Sequence, residues 1–328
     1  MPNDSTLYAV ARIRTLEKGL VDGERLRRMA AAPLPDAMRL LCETGYGAIP
    51  DAGSYRLEEM ITYELERAYR DVRELTSDPA ATDVFILKND VLTLKTLLKL
   101  RELGAELKPE AARTGLFSTD ALRAMVETGD YGALPAALAA AAEELEFRLA
   151  LRFDPEHIST ALDRGYCAHG QENGDPVVRE YFRAFCDYTN LLTALRLRRA
   201  GSGADALERR LLCSGEIPAE HFIKHYEQPP EALVRSMPFG DARNRLIRAV
   251  DDMLRDGSLA RIELRRDDYL MSLFSVRRWE SESIYPIIGY LLARESEAKA
   301  IRLVITLKRI GATEGAILER LRALYVQG

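Results

Sequence analysis

The stretch FILKNDVLTLKTLLKLRELG, residues Phe85 to Gly104, decides the fold, because its pattern comes back twice in the 328-residue chain. Counted from Asp90, apolar residues stand at +4, +8 and +10 (Leu94, Leu98, Leu100), a base at +11 (Arg101) and a glycine at +14 (Gly104). Asp187 is followed at the same offsets by Leu191, Leu195, Leu197, Arg198 and Gly201, and Glu297 by Ile301, Ile305, Leu307, Lys308 and Gly311. Each copy reads as one helix. The apolar stripe lies near the helical period, the acid is expected toward the positive end and the base toward the negative end, and glycine is the stop signal.

A second signal, also in three copies, marks where the repeats begin. Gly19-Leu-Val-Asp-Gly-Glu-Arg-Leu26 matches Gly115-Leu-Phe-Ser-Thr-Asp-Ala-Leu122 and Gly215-Glu-Ile-Pro-Ala-Glu-His-Phe222. This is helix-start chemistry: Asp22 and Ser118 suit an N-cap, Pro218 a first turn, and Glu24, Asp120 and Glu220 complement the macrodipole. From leading glycine to acid the separations are 71, 72 and 82 residues. Three tandem repeats of about a hundred residues follow, at 1–112, 113–212 and 213–328. That period is too long for a solenoid turn, whose repeats run to roughly 20–50 residues.

Bulk composition narrows the partners. Charged residues make up 30% of the chain but nearly balance, at net −5. Electrostatic capture of nucleic acid or of an anionic bilayer is therefore not expected. The four cysteines, Cys42, Cys167, Cys186 and Cys213, form no CxxC pair and no secretory leader opens the chain, so they read as reduced thiols of a cytosolic protein. No run of 18 apolar residues is available to span a membrane.

Outside the repeats the pattern is again helical, so the fold class expected is all-α. An N-terminal arm runs from Thr6 to Lys18, and Leu57–Leu75 is a long amphipathic helix stopped by Ser77-Asp78-Pro79. Further helices are expected at Ala136 to about Leu151, His157–Arg164, Arg243–Leu254, Asp267–Trp279 and Glu314–Val326. Gly170–Pro176 reads as a polar loop, and Leu259–Leu264 is the one candidate for extended structure.

Catalytic constellations are sparse. The chain has no GxxxxGK[ST], no HExxH, no GxGxxG after a strand and no GxSxG elbow, so no catalytic residue, nucleotide site or cofactor is assigned. His221 and His225 stand at i, i+4, a spacing two metal ligands would use, but zinc requires a third and none is visible nearby. Trp279, the sole tryptophan, reads as core packing, with an interface anchor as the alternative. Arg101, Arg198 and Lys308 are the polar positions of most interest. They serve either as helix-end charges complementing the dipole or, in related units set about an axis, as equivalent charged spots for a partner lying on it.

FILKNDVLTLKTLLK, its echoes FCDYTNLLTALRLRRAG and LLARESEAKAIRLVITLK, AMRLLCETGYG at 37–47 and the opening YAVARIRTLEKGL together resemble the C-type subunits of the bacterial and archaeal V/A-type rotary ATPases, kin to the d-type component of the eukaryotic vacuolar enzyme. The likeness runs from Tyr8 to the last helix. It implies three similar helical lobes in a pseudo-threefold, funnel-shaped arrangement. It also implies a non-catalytic socket joining central shaft subunits of the D and F type to the membrane rotor ring of proteolipid subunits. Such a part is cytoplasmic and reaches the membrane only through that ring. The third copy departs from the pattern in having Glu297 for Asp and a longer segment before its repeat helix. A helical adaptor for other proteins, and a hydrolase using His221 and His225, are the alternative readings.

Overall fold

The computed structural model describes residues 6–46, 57–106, 114–151 and 154–321. Among the described residues the chain is all-α, with sixteen helices and no strand. It divides into two compact units. One takes the described residues of Met1–Asp83 and Met271–Gly328 together with Thr114, the other those of Val84–Ala111 and Gly115–Leu270.

The first unit contains α1 (Thr6–Glu17), α2 (Gly23–Ala31), α3 (Leu34–Glu43) and α4 (Leu57–Leu75). The second contains α5 (Pro79–Glu102) from Val84 onward, α6 (Thr119–Thr128), α7 (Ala136–Leu149), α8 (Pro155–Gln171), α9 (Pro176–Arg199), α10 (Ala204–Arg210), α11 (Ala219–Lys224), α12 (Pro230–Arg235), α13 (Asp241–Asp256) and the first part of α14 (Ala260–Ser275). The chain then completes the first unit with α15 (Tyr285–Arg309) and α16 (Glu314–Leu318).

The repeat helices are α5, α9 and α15, and they are longer than their sequence signature. Each begins about three turns before its acid, so Asp90, Asp187 and Glu297 stand in mid-helix rather than at the positive end. The dipole account of the acids is thereby overturned. A further repeated mark accompanies the longer helices: a proline stands eleven residues before each acid, at Pro79, Pro176 and Pro286. At a first-turn position the missing N–H would have had no partner anyway, and the fixed φ favours the helix. In α9 the preceding Asp175 caps the start, its Oδ1 accepting from Val177 N at 2.8 Å and Val178 N at 2.9 Å. In α5, Asp78 Oδ1 accepts from Ala81 N at 3.2 Å.

The stop signals are the same in all three. Gly104, Gly201 and Gly311 have φ of 64°, 70° and 76°, the left-handed region. The residue after each glycine donates its N–H to a carbonyl in the last turns of its helix: Ala105 to Leu100 O at 2.9 Å, Ser202 to Leu197 O at 2.9 Å, Ala312 to Leu307 O at 3.0 Å. The glycine itself donates to the carbonyl of the +11 base. This is a Schellman-like closure, which satisfies helix-end carbonyls and favours glycine at the turning position.

Three hydrophobic cores are built on the same plan. Leu87, Val91, Leu94 and Leu98 of α5 pack with Leu122 and Val126 of α6 and with Leu138 and Leu145 of α7. Leu191, Leu192 and Leu195 of α9 pack with Phe222, Leu233 and Leu246 of α11, α12 and α13. Ile301, Val304 and Ile305 of α15 pack with Leu26 and Met29 of α2, Leu41 of α3 and Met60 of α4. Each repeat helix therefore serves as the spine for the beginning of the copy that follows it, and the third serves the first.

Several local expectations change. Residues 260–264 of the extended candidate are helical, at the start of α14. The His157–Arg164 helix extends to Gln171, taking in Gly170, which is small because the Phe182 ring lies 2.3 Å from where its Cβ would stand. Asp154-Pro155 begins this helix, Asp154 capping Glu156 N and His157 N. Of the closing helix, Glu314–Leu318 is observed, and 322–326 lie outside the described residues. Gly47 lies outside them too. Trp279 is not core: it is 75% exposed, with the Arg14 and Arg278 guanidinium carbons each 4.8 Å from its ring centre. Cation–π contact replaces burial there.

Candidate functional site

The repeated acids and the repeated glycine motifs prove to be two halves of one joint. Asp90, Asp187 and Glu297 are each 1% exposed, so each carboxyl group needs internal partners. Asp90 accepts from Leu116 N at 2.8 Å and Phe117 N at 3.2 Å. Asp187 accepts from Glu216 N at 3.2 Å and Ile217 N at 2.9 Å. Glu297 accepts from Val21 N at 2.5 Å. The first two acids hold the residues just after the leading glycine of the next copy, and the acid of the third copy holds the equivalent segment of the first.

Close approach explains the glycines. A Cβ on Gly115 would stand 2.1 Å from Asp90 Oδ1, and one on Gly215 would stand 2.3 Å from both Asp187 Oδ1 and the Arg183 carbonyl. The third joint is looser. A Cβ on Gly19 would meet only the Arg294 guanidinium at 3.3 Å and Leu16 O at 3.4 Å. Glu297 reaches with one more methylene than aspartate, and Arg294 fills in, donating to Glu297 Oε1 at 2.9 Å and to Gly19 O at 3.2 Å.

Burial dominates the titration of two of these acids. It pushes Asp187 up to about 7 against the downward pull of the Ile217 and Glu216 amides. It likewise pushes Glu297 up to about 7 against Arg294 and the Val21 amide.

The ends of the repeat helices, about three turns beyond the acids, carry the three bases singled out in the sequence, all half-buried. Arg101 grips Glu146 of α7 with both terminal nitrogens, at 2.8 and 2.7 Å, and donates to Val126 O at 2.8 Å. The Tyr131 hydroxyl donates to the same carboxylate. Burial raises Glu146, but the hydrogen bonds from Arg101 and Tyr131 outweigh it and hold the carboxyl below its ordinary value. Arg198 donates to the Gln228 carbonyl. Lys308 stands at the same place at the end of α15. The guanidinium groups of Arg101 and Arg198 are thus engaged inside the chain, each reaching to the following copy.

His221 and His225 stack with ring centres 4.3 Å apart, and His221 Nε2 lies 3.3 Å from Leu233 O and 3.1 Å from Ser236 Oγ. Among the described residues no group of three or more His, Cys, Asp and Glu side chains is placed to hold a metal ion. No described helix is long and apolar enough to cross a membrane.

Sequence pattern shows both the acids and the glycine motifs, but assigns each to its own helix end; their pairing is a tertiary fact. Where Glu297 replaces aspartate, the partner glycine loses its tight carboxylate contact.

The profile of a family described as ATP synthase (C/AC39) subunit matches residues 9–320. The chain is 23% identical to the C-type subunit of the V-type sodium ATPase of Enterococcus hirae, over 95% of this chain and 97% of that one. It is 24% identical to the C-type subunit of the A-type ATP synthase of Haloferax volcanii, over 94% and 95%. To the corresponding A-type ATP synthase component of a Desulfurococcus species it is also 24% identical, over 95% and 89%.

Proposed function

Because the chain belongs to the ATP synthase (C/AC39) subunit family, we propose that it is a non-catalytic central-stalk part of a V/A-type rotary ATPase. In this role it joins the D- and F-type shaft subunits to the proteolipid rotor ring and carries torque for ATP-coupled proton or sodium transport. Its three repeats, 1–112, 113–212 and 213–328, would form lobes about a pseudo-threefold axis, with the shaft seated on that axis. The part would sit on the cytoplasmic side and touch the membrane only through the ring.

The observation that carries this reading is the joint. Torque passes through a part only if its segments do not slide on one another. Three buried carboxyl groups, each holding the backbone of another copy, are the means by which a helical chain resists such sliding. Within the reading, Arg101, Arg198 and Lys308 are candidate shaft contacts. Since Arg101 and Arg198 brace their own surroundings, Lys308→Glu is the cleanest probe, as it leaves those braces untouched.

The test is reconstitution. An assembly lacking the chain is expected to hydrolyse ATP without moving ions, and adding the chain back to restore transport. Full transport without it would overturn the proposal, as would recovery from cells with unrelated partners alone.

A further inference from the structure

Three cysteines far apart in sequence meet beside the second joint. Cys167 of α8 and Cys186 of α9 are fully buried in one cluster with Leu212, and Cys213, two residues before Gly215, is half-buried against it. The Cys186 and Cys213 sulfurs are 3.6 Å apart. Gln171 Nε2 bridges them, 3.4 Å from Cys186 Sγ and 3.3 Å from Cys213 Sγ, and donates to Ser214 O at 3.0 Å. Asn190 fixes the segment that carries Cys213, accepting from Leu212 N at 2.7 Å and donating to Cys213 O at 3.2 Å. Arg164 donates to Leu211 O at 2.6 Å, which brings its guanidinium to the same segment. A disulfide has sulfurs about 2.05 Å apart, and these two sulfurs are already in van der Waals contact.

We infer that Cys213 and Cys186 form an oxidative modification site whose co-substrate is a hydroperoxide. The Cys213 sulfur attacks the distal peroxide oxygen; the O–O bond breaks, leaving a sulfenic acid and, after protonation, water or an alcohol. The Cys186 sulfur then attacks the Cys213 sulfur, loses its proton, and displaces the sulfenic oxygen as water. Two thiols are oxidised to one disulfide and one peroxide bond is reduced. The order of events follows from access, since Cys213 is the more exposed member and Cys186 the buried one beneath it. It is also the order the thiols favour. Hydrogen bonds from Cys167 and Cys186, with Arg164 nearby, hold the Cys213 thiol well below the ordinary thiol range, whereas for Cys186 the downward pull of Cys167 is outweighed by the hydrogen bond with Cys213 and by burial, which push that thiol above it. The product would tie α9, one residue before Asp187, to the segment entering Gly215. Oxidation at this site therefore acts on the second joint.

The test treats the reduced full-length protein with hydrogen peroxide, blocks the remaining thiols in denaturant with N-ethylmaleimide, and maps peptides by mass spectrometry. The expected result is a Cys186–Cys213 linkage, with Cys42 and Cys167 still alkylated. Cys186→Ser is expected to leave a sulfenic acid on Cys213 that dimedone traps. Cys213→Ser is expected to slow peroxide consumption by about tenfold, to the rate of Cys42. Oxidation of wild-type Cys213 no faster than Cys42, or a dominant bond pairing any other cysteines, would overturn the inference. The wild-type time course decides this even where a serine variant fails to fold.

Discussion

At the leading glycines, a single added methyl group separates the three joints. Gly215→Ala drives Cβ against the Arg183 carbonyl, which is backbone and cannot swing away, as well as against Asp187. Gly115→Ala meets only the Asp90 carboxyl group, the end of a side chain. Gly19→Ala meets a long guanidinium and a carbonyl at near-contact distance. The expected order of destabilisation in urea titrations is Gly215 > Gly115 > Gly19, with the first costing about 1–3 kcal/mol or more. An equal loss at all three would mean that the close approaches do not govern stability. The acids themselves give a pH signature. Asp187 ionises around 3.8 when unfolded and about 7 when folded, and Glu297 around 4.5 and about 7. Between those values the folded chain holds protons that the unfolded chain has released, so their contribution is greatest in acid and is lost as pH rises through about 7. The urea midpoint should therefore decline from about pH 4 to 7, and Asp187→Asn should flatten that decline. Glu146 works in the opposite direction: its contribution is present above its ordinary value and is lost as pH falls through the lowered one.

Among elements, the repeat helix is the one that recurs, bounded by proline at one end and a left-handed glycine at the other. Placing alanine at Gly104, Gly201 or Gly311 forces a Cβ into the left-handed region, at a cost of about 1–2 kcal/mol each. The cost should be similar at the three sites, since their closures share both hydrogen bonds, and asparagine should cost less than alanine. Thermal or urea unfolding of the three single variants checks this. The end of α5 carries an additional brace. Glu146→Gln breaks the two-pronged contact with Arg101 and leaves the half-buried guanidinium to Glu102 and the Val126 carbonyl, so a larger loss than from an exposed ion pair is expected. Adding Arg101→Gln to it should recover part of that loss in a double-mutant cycle.

For the whole chain, contacts remote in sequence decide which segments open last. Val21 and Glu297 are 276 residues apart, yet one hydrogen bond links them. The amides of Val21, Phe117 and Ile217, though in connecting segments, should exchange with deuterium as slowly as helix interiors, because buried carboxyl groups hold them. Rapid exchange at all three would show that the joints are open much of the time. If the joints keep the repeats from sliding, Asp187→Ala should lower ions moved per ATP hydrolysed in a reconstituted complex more than it lowers hydrolysis.

What the residues alone determined was periodic: helices from apolar spacing, their ends from glycine and capping residues, and three copies from matching offsets. Leu57–Leu75 is legible to the residue, and the resemblance carried by the repeats leads to the family. Local pattern suffices for such features because a helix is set by interactions within a few residues of each position. Tertiary structure alone decided that each acid serves the copy after its own, that Trp279 stays outside, and that Cys167, Cys186 and Cys213 share one cluster. The reason is that hydrogen bonds and thiol contacts depend on separation in space, and the partner's place in the chain leaves no period to read.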